Sequence, residues 1–116
     1  MKKLIPTIVQ DYKSKAVYIL GYSNKESLEK TVKSGFICFW SRSKKRLWMK
    51  GEKSGNKLKV KNIYFDCDKD AILIKAKLLG KNVCHTGRRS CFSLVSSRAK
   101  SRDPVQLISY DDKQTL

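Results

Sequence analysis

Carboxylates are scarce in this chain: 10 Asp and Glu stand against 26 Lys and Arg in 116 residues, a formal charge of +16. Histidine occurs once, at His85. That imbalance favours polyanionic partners such as nucleic acid, anionic lipid or phosphorylated small molecules. A lysine-rich solvated surface accounts for the same count, so charge alone assigns no function. No segment approaches the roughly 20 apolar residues of a membrane span, and no membrane partner is expected. The N-terminus, MKKLIPTIVQDYKSK, lacks the parts of a signal peptide. Its apolar run from Leu4 to Val9 is short and broken by Pro6, Asp11 follows, and there is no small-residue cleavage site. The reading is cytoplasmic, where the four cysteines act as metal ligands or free thiols rather than disulfides. No C-x-x-C pair occurs, which argues against a structural zinc ribbon. The H-x-E and P-C-x-x-C signature of zinc deaminases is also missing.

What is present suits one domain over residues 1–116, with a polar tail over 96–116. A hydrophobic fraction of 41% supports a core, with help from a metal or partner subunit. KAVYILGY (Lys15 to Tyr22) reads as a buried strand. SNKESLEKTVKSG follows as a short helix: Ser23 and Glu26 fit a capping box, Gly35 a stop, and Leu28 and Val32 one apolar face. FICFW (Phe36 to Trp40) and LWMK (Leu47 to Lys50) read as strands, and GEKSGN as a turn-rich loop. From Lys57 alternation is clean, with Leu58 and Val60 inward. Ala71 to Leu79 alternates too, with Ile72, Ile74, Ala76 and Leu78 on one face. Val105 to Tyr110 reads as a last short strand. The expected class is α+β: mainly antiparallel strands with one or two short helices, in a small barrel-like domain.

The chemistry concentrates between Phe65 and Phe92. DCDKD places Asp66, Asp68 and Asp70 at alternate positions. On an extended segment they project together and repel one another unless a cation neutralises them; hard oxygen donors suit Mg²⁺ or Ca²⁺. A solvated acidic turn is the plain alternative. An EF-hand loop is excluded, because its turn Gly and closing Glu are missing. Cys67 points away from the trio and belongs to another site. Cys84 and Cys91 lie seven apart in CHTGRRSC. Three thiolates with a fourth position left to water form the pattern of a catalytic zinc site. His85, adjacent to Cys84, is a poor fourth ligand but is placed as a base, since imidazole titrates near neutral pH. A structural histidine is its alternative. If Cys67 and the aspartates occupy opposite faces, Cys67 reaches zinc held by another chain's Cys84 and Cys91. Cys38, among the apolar residues of FICFW, reads as a core thiol.

Three blocks then carry a resemblance: WSRSKKRLWMKGEKSGN (Trp40 to Asn56), DCDKD and CHTGRRSCF (Cys84 to Phe92). Together they resemble the phosphoribosyl-AMP cyclohydrolases of histidine biosynthesis, over roughly Lys15 to Ser93. The resemblance implies hydrolytic opening of the adenine ring between N1 and C6 of phosphoribosyl-AMP. It implies Zn²⁺ on Cys67, Cys84 and Cys91, the first contributed across an intertwined homodimer, and Mg²⁺ on Asp66, Asp68 and Asp70. His85 is then the proton carrier. The two phosphate ends of the substrate give a task to Ser41, Arg42 and Ser43, to Lys50 and Ser54, and to Arg88 and Arg89. Glu52 would orient Lys50 or an arginine.

The chain departs from the family at Lys44, where arginine is commoner, so a forked phosphate contact is not expected there. Its length suits the monofunctional form, without a fused pyrophosphohydrolase domain. The rival reading is a zinc-stabilised basic module stacking single-stranded nucleic acid on Trp40 and Trp48. Nucleic acid is the less expected partner, because the aspartate trio repels phosphate unless metallated.

Overall fold

A computed structural model describes residues 3–94. Six strands and one helix follow in the order β1 (Ile5–Asp11), β2 (Val17–Ser23), α1 (Lys25–Ser34), β3 (Cys38–Ser41), β4 (Arg46–Met49), β5 (Lys57–Phe65) and β6 (Ile72–Leu79). The α+β class holds, with mostly antiparallel pairing and one helix among the described residues. The expected strand at Val105 to Tyr110 lies outside them.

A four-stranded sheet runs β2-β1-β6-β5, and β3 and β4 form a separate hairpin. The first and last strands, β1 and β6, are parallel neighbours at the centre, with Thr7 opposite Ile72 and Asp11 opposite Ala76. β1 is the main element that the sequence reading missed. Ile5, Thr7, Val9 and Asp11 point inward while Pro6, Ile8 and Gln10 point out, so the stretch weighed as a failed leader is a core strand. Two of its inward residues are polar, which hid the alternation. Thr7 and Ser23 share a hydroxyl hydrogen bond of 2.7 Å. Asp11 accepts from the Tyr18 hydroxyl at 2.9 Å. Both pairs answer the cost of burying polar groups.

The sheet's inner face carries Val9, Ile19, Leu58, Ile72, Ile74, Ala76 and Leu78, as alternation in β6 predicts. The segment entering β3 pairs along the free edge of β5. Val60 N–H donates to Gly35 O (2.8 Å), Ile37 N–H to Leu58 O (3.0 Å), and Phe36 bridges Lys59 on β5. At the far side the Phe39 ring rests on β2, where a Cβ at Gly21 would lie 2.6 Å from it. Phe39 is 1% exposed and meets the Trp48 ring at a centroid distance of 5.5 Å. A tilted aromatic pair of this kind contributes about 0.5–1.5 kcal/mol beyond area burial.

The helix cap is corrected by one residue. Asn24, not Ser23, is the N-cap, and its partner is Ser27, not Glu26: Ser27 N–H donates to Asn24 Oδ1 and Asn24 N–H to Ser27 Oγ, both at 2.8 Å. Gly35 ends the helix at φ 81°, as expected. Of the expected apolar face, Leu28 packs against the core, whereas Val32 is 65% exposed and Ser27 and Thr31 are buried. The helix docks through Leu28 and these hydroxyls. Thr31 Oγ1 accepts from Cys38 N–H at 2.9 Å and so holds the start of β3. A small polar stripe of this kind leaves no hydrophobic period to read.

Candidate functional site

A cavity of about 610 Å³ opens where the β3–β4 hairpin, the loop after β4 and the loop after β6 converge. Its walls hold Ser41, Lys50, Ser54, Cys84 and His85, five of the site residues expected from sequence, drawn from two of the three blocks. Trp48, fixed by Phe39, forms an apolar wall, with the Lys50 Nζ 5.6 Å from its ring centroid.

The loop after β4 is closed by its own backbone. Glu52 N–H donates to Met49 O (3.0 Å), Gly55 N–H donates to Gly51 O (2.8 Å), and Met49 N–H donates to the Glu52 carboxylate (2.7 Å). Glu52 therefore ties the loop rather than pairing with Lys50, which explains an acid in a cationic stretch. Gly51 sits at φ 84°, and a Cβ there would collide with the Asn56 carbonyl. Asn56 links this loop to the next: its Oδ1 accepts from Lys81 N–H at 3.2 Å and leaves no room for a Cβ at Gly80.

The loop after β6 folds back on itself, with Val83 N–H donating to Arg89 O (3.1 Å) and Cys84 N–H to Arg88 O (3.0 Å). Cys91 N–H donates to Tyr18 O at 2.8 Å, anchoring the loop to β2. The return brings Cys84 and Cys91, both free thiols, close enough to perturb each other. The Thr86 hydroxyl, 3.0 Å from the Cys84 sulfur, pulls that thiol below its usual range, helped by Cys91 and Lys50. Burial, and then the neighbouring Cys84, push the Cys91 thiol up. Two neighbouring thiols, one of them shifted toward easier ionisation, beside a lysine are a soft pair suited to zinc.

The third cysteine is elsewhere. Cys67 lies in the tight turn joining β5 to β6, at the opposite end of β6 from Cys84. The eight residues of β6 separate the two, roughly 25 Å at about 3.3 Å per residue. Among the described residues of one chain, no three His, Cys, Asp or Glu gather as a metal-holding group. The chain fits zinc with two thiols of three.

DCDKD is a turn, not the extended segment expected. Asp66 N–H donates to Ala71 O (3.1 Å), Lys69 N–H donates to Asp66 O (3.0 Å), and Lys69 takes φ 60°. Asp66 Oδ1 accepts from Asp70 N–H at 3.0 Å, the side-chain-to-backbone closure that favours aspartate in turns. The strand-face argument for separating Cys67 from the aspartates therefore fails, since pairing ends at Phe65. The Asp66 carboxyl is held below its ordinary value, first through its interaction with the Asp70 side chain and then by backbone N–H groups. Two of the three carboxyls thus converge on an exposed turn whose oxygens suit a hard cation.

Several expected phosphate contacts sit outside the cavity lining. Ser43 Oγ lies 3.4 Å from Ser41 Oγ. The Arg42 guanidinium stacks 3.9 Å over the Tyr22 ring. Arg88 contributes its carbonyl to the thiol loop. Arg89 donates to the Tyr18 hydroxyl at 3.1 Å, completing an Asp11–Tyr18–Arg89 chain. The cavity instead presents Lys44, Arg46, Lys53 and Asn82. Arg46 and Trp48 are two apart on β4 and share a face, so alternation in RLWM was the available signal. Thr86 had none.

A family model described as phosphoribosyl-AMP cyclohydrolase matches residues 19–93. A Clostridium botulinum (strain Okra / Type B1) protein named phosphoribosyl-AMP cyclohydrolase is 57% identical over 89 residues, covering 77% of this chain and 80% of the relative. A protein of that name from Solibacter usitatus is 52% identical, covering 77% and 71%. The histidine biosynthesis bifunctional protein HisIE of Buchnera aphidicola subsp. Schizaphis graminum is 58% identical over 91 residues, 78% of this chain and 44% of the relative.

Proposed function

Because the chain belongs to the phosphoribosyl-AMP cyclohydrolase family, we propose that it opens the adenine ring of phosphoribosyl-AMP between N1 and C6 in histidine biosynthesis. The observation that carries the reading is the cavity that gathers Cys84, His85, Trp48 and a cationic rim. Trp48 offers a face for a purine, and base stacking on an aromatic contributes about 1–3 kcal/mol. Lys44, Arg46, Lys50 and Lys53 hold anionic phosphate, Ser41 and Ser54 add hydroxyl donors, and the Gly51 loop brings backbone close.

In this reading Cys84 and Cys91 of one chain and Cys67 of a second copy hold Zn²⁺, which supplies Lewis acidity and activates water at neutral pH. Asp66, Asp68 and Asp70 hold Mg²⁺. His85, exposed on the thiol loop, takes a proton from the attacking water and delivers it to N1. Lys50 has two tasks, favouring the thiolates and meeting substrate charge. No helix among the described residues is long and apolar enough to cross a membrane, in keeping with a cytoplasmic site of action.

Purified protein supplied with phosphoribosyl-AMP and Mg²⁺ should show ring opening by ultraviolet absorbance, and a zinc chelator should abolish it. Undiminished turnover by protein proven metal-free would refute the zinc assignment. No turnover by folded, metal-loaded protein would refute the reaction.

A further inference from the structure

The thiol loop is fixed differently along its two limbs. The Cys91 limb is tied to β2: Cys91 N–H donates to Tyr18 O at 2.8 Å, and Ser90 Oγ donates to Val17 O at 2.6 Å. Residues 80–87, which carry Cys84 and His85, belong to no strand. Val83 sits in the core. Among the described residues, the one hydrogen bond from this limb to a segment outside the loop is Lys81 N–H to Asn56 Oδ1, at 3.2 Å. A segment with so few external bonds opens locally unless that attachment is passed along it.

Two amides pass it on. With its nitrogen toward the loop, Asn82 Nδ2 donates to Lys81 O and to Gly87 O, each at 3.0 Å; the opposite orientation would set its oxygen against both carbonyls. Lys81 is thus held at both ends, its N–H by Asn56 and its carbonyl by Asn82. Gly87 N–H in turn donates to Cys84 O at 3.0 Å, closing the turn that carries Cys84, His85 and Thr86. On the other side Asn56 N–H donates to Ser54 Oγ at 3.2 Å, within the loop after β4. Asn56 is itself wedged in place, its carbonyl against Gly51 and its Oδ1 where a Cβ at Gly80 would stand. Ser54, Asn56, Asn82, Cys84, His85 and Gly87 all line the same cavity. The path therefore crosses from the cationic, glycine-rich wall to the thiol wall.

We propose that Asn56 is a positioning residue for the reaction: its side-chain oxygen, relayed by Asn82, sets the Cys84–His85 turn from the loop that receives substrate phosphate. The thiols and the phosphate donors then keep one spacing across the cavity, which is what a substrate held at its phosphates and attacked at its ring requires. The inference deepens the proposed function and rests on it for the zinc and the phosphate. The role needs an acceptor at position 56 and a donor at position 82. Asparagine supplies either, whereas an ionised aspartate supplies only the acceptor. One substitution therefore has opposite consequences at the two positions. Asn56→Asp keeps an oxygen for Lys81 N–H. Asn82→Asp turns a carboxylate toward two carbonyl oxygens. The Asn56 backbone is not left-handed, so alanine there removes the side chain without backbone strain.

The experiment compares the full-length parent with Asn56→Ala, Asn56→Asp and Asn82→Asp, each shown to be folded by circular dichroism and melting. Two quantities are read: amide hydrogen exchange of the protein as purified, and zinc affinity by competition with a chromophoric chelator. Asn56→Ala should speed exchange at the Cys84 and Gly87 N–H groups about tenfold while β1 and β6 exchange as slowly as in the parent. It should weaken zinc about tenfold, the lower end of what losing the support behind a metal ligand costs. Asn56→Asp should restore both, and Asn82→Asp should restore neither. Unchanged exchange across residues 81–87 in Asn56→Ala overturns the relay, whatever the zinc affinity. Faster exchange with zinc held as tightly as in the parent overturns the positioning role. A raised KM for phosphoribosyl-AMP in Asn56→Ala, with exchange and zinc both unchanged, makes Asn56 a substrate contact and overturns it too. A folded parent that binds no zinc refutes the metal assignment of the proposed function, and the exchange pattern, which needs no metal, then upholds or overturns the hold of Asn56 on the turn by itself.

Discussion

The two ends of β6 differ in how completely one chain builds them. At the C-terminal end, two loops and a hairpin enclose a cavity. Cys84 and Cys91 are brought together by backbone hydrogen bonds, tuned by Thr86 and backed by a fixed Trp48. At the N-terminal end, Cys67 and three aspartates share a five-residue turn that is open to water on every side. In the proposed reading, one end is a pocket with too few ligands and the other a set of ligands without a pocket. Side chains at opposite ends of an extended strand cannot meet within one chain, so ligands split in this way point to assembly between chains.

Perturbing the two ends separately sharpens the contrast. The largest effect belongs to Cys84→Ser, which should lose tightly bound zinc and lower kcat by about a thousandfold or more, as measured by metal analysis and initial rates. Asp68→Asn should raise the Mg²⁺ concentration for half-maximal activity by roughly tenfold or more while zinc content stays unchanged. If that variant loses zinc, the two-metal division is wrong. Trp48→Ala should raise KM about tenfold, with kcat less affected, because it removes a stacking surface rather than a reacting group. The unfolding midpoint, tracked alongside, separates this from lost packing against Phe39.

The smallest effect concerns the frame that holds Cys91. Burial raises the Asp11 carboxyl, but hydrogen bonds from Ser14 N–H, Tyr18 and Lys13 N–H outweigh it and leave the group below its ordinary 3.8. A carboxyl depressed by folding adds stability above its unfolded value and loses it as pH falls through that value toward the folded one. Denaturant unfolding of the parent should therefore weaken below about pH 4. Asp11→Asn should be less stable by about 1–2 kcal/mol at neutral pH and should lose less on acidification. Equal acid sensitivity in both proteins would remove Asp11 from the account.

The same contrast governs what could be read from the sequence. Alternation in β6 and the punctuation of the glycine-rich loop were plain because each obeys one local rule. The three motif blocks were legible as residue types, and five of the site residues expected from two of them line one cavity. Three features were not. β1 buries Thr7 and Asp11, and their partners Ser23 and Tyr18 lie in another strand. The helix buries Ser27, which closes the cap with Asn24, and Thr31, which holds the backbone of β3. DCDKD looks extended on spacing alone, and only the Asp66 closure and the left-handed Lys69 make it a turn. In each case the deciding partner is distant in sequence or is the backbone itself. Arg89 is a related case: its hydrogen-bond partner, the Tyr18 hydroxyl, lies 71 residues away on β2.

The central claim is that neither end of β6 is an active site until a second copy supplies the other. Mixing two inactive variants, Cys67→Ser and Cys84→Ser, tests it most directly. A mixed dimer keeps one intact set of ligands, Cys67 from one chain with Cys84 and Cys91 from the other. Random exchange of subunits should therefore restore about a quarter of the parent activity and of its zinc content. Exchange, verified by mass on differently tagged chains, with no recovery of zinc or activity would contradict the account.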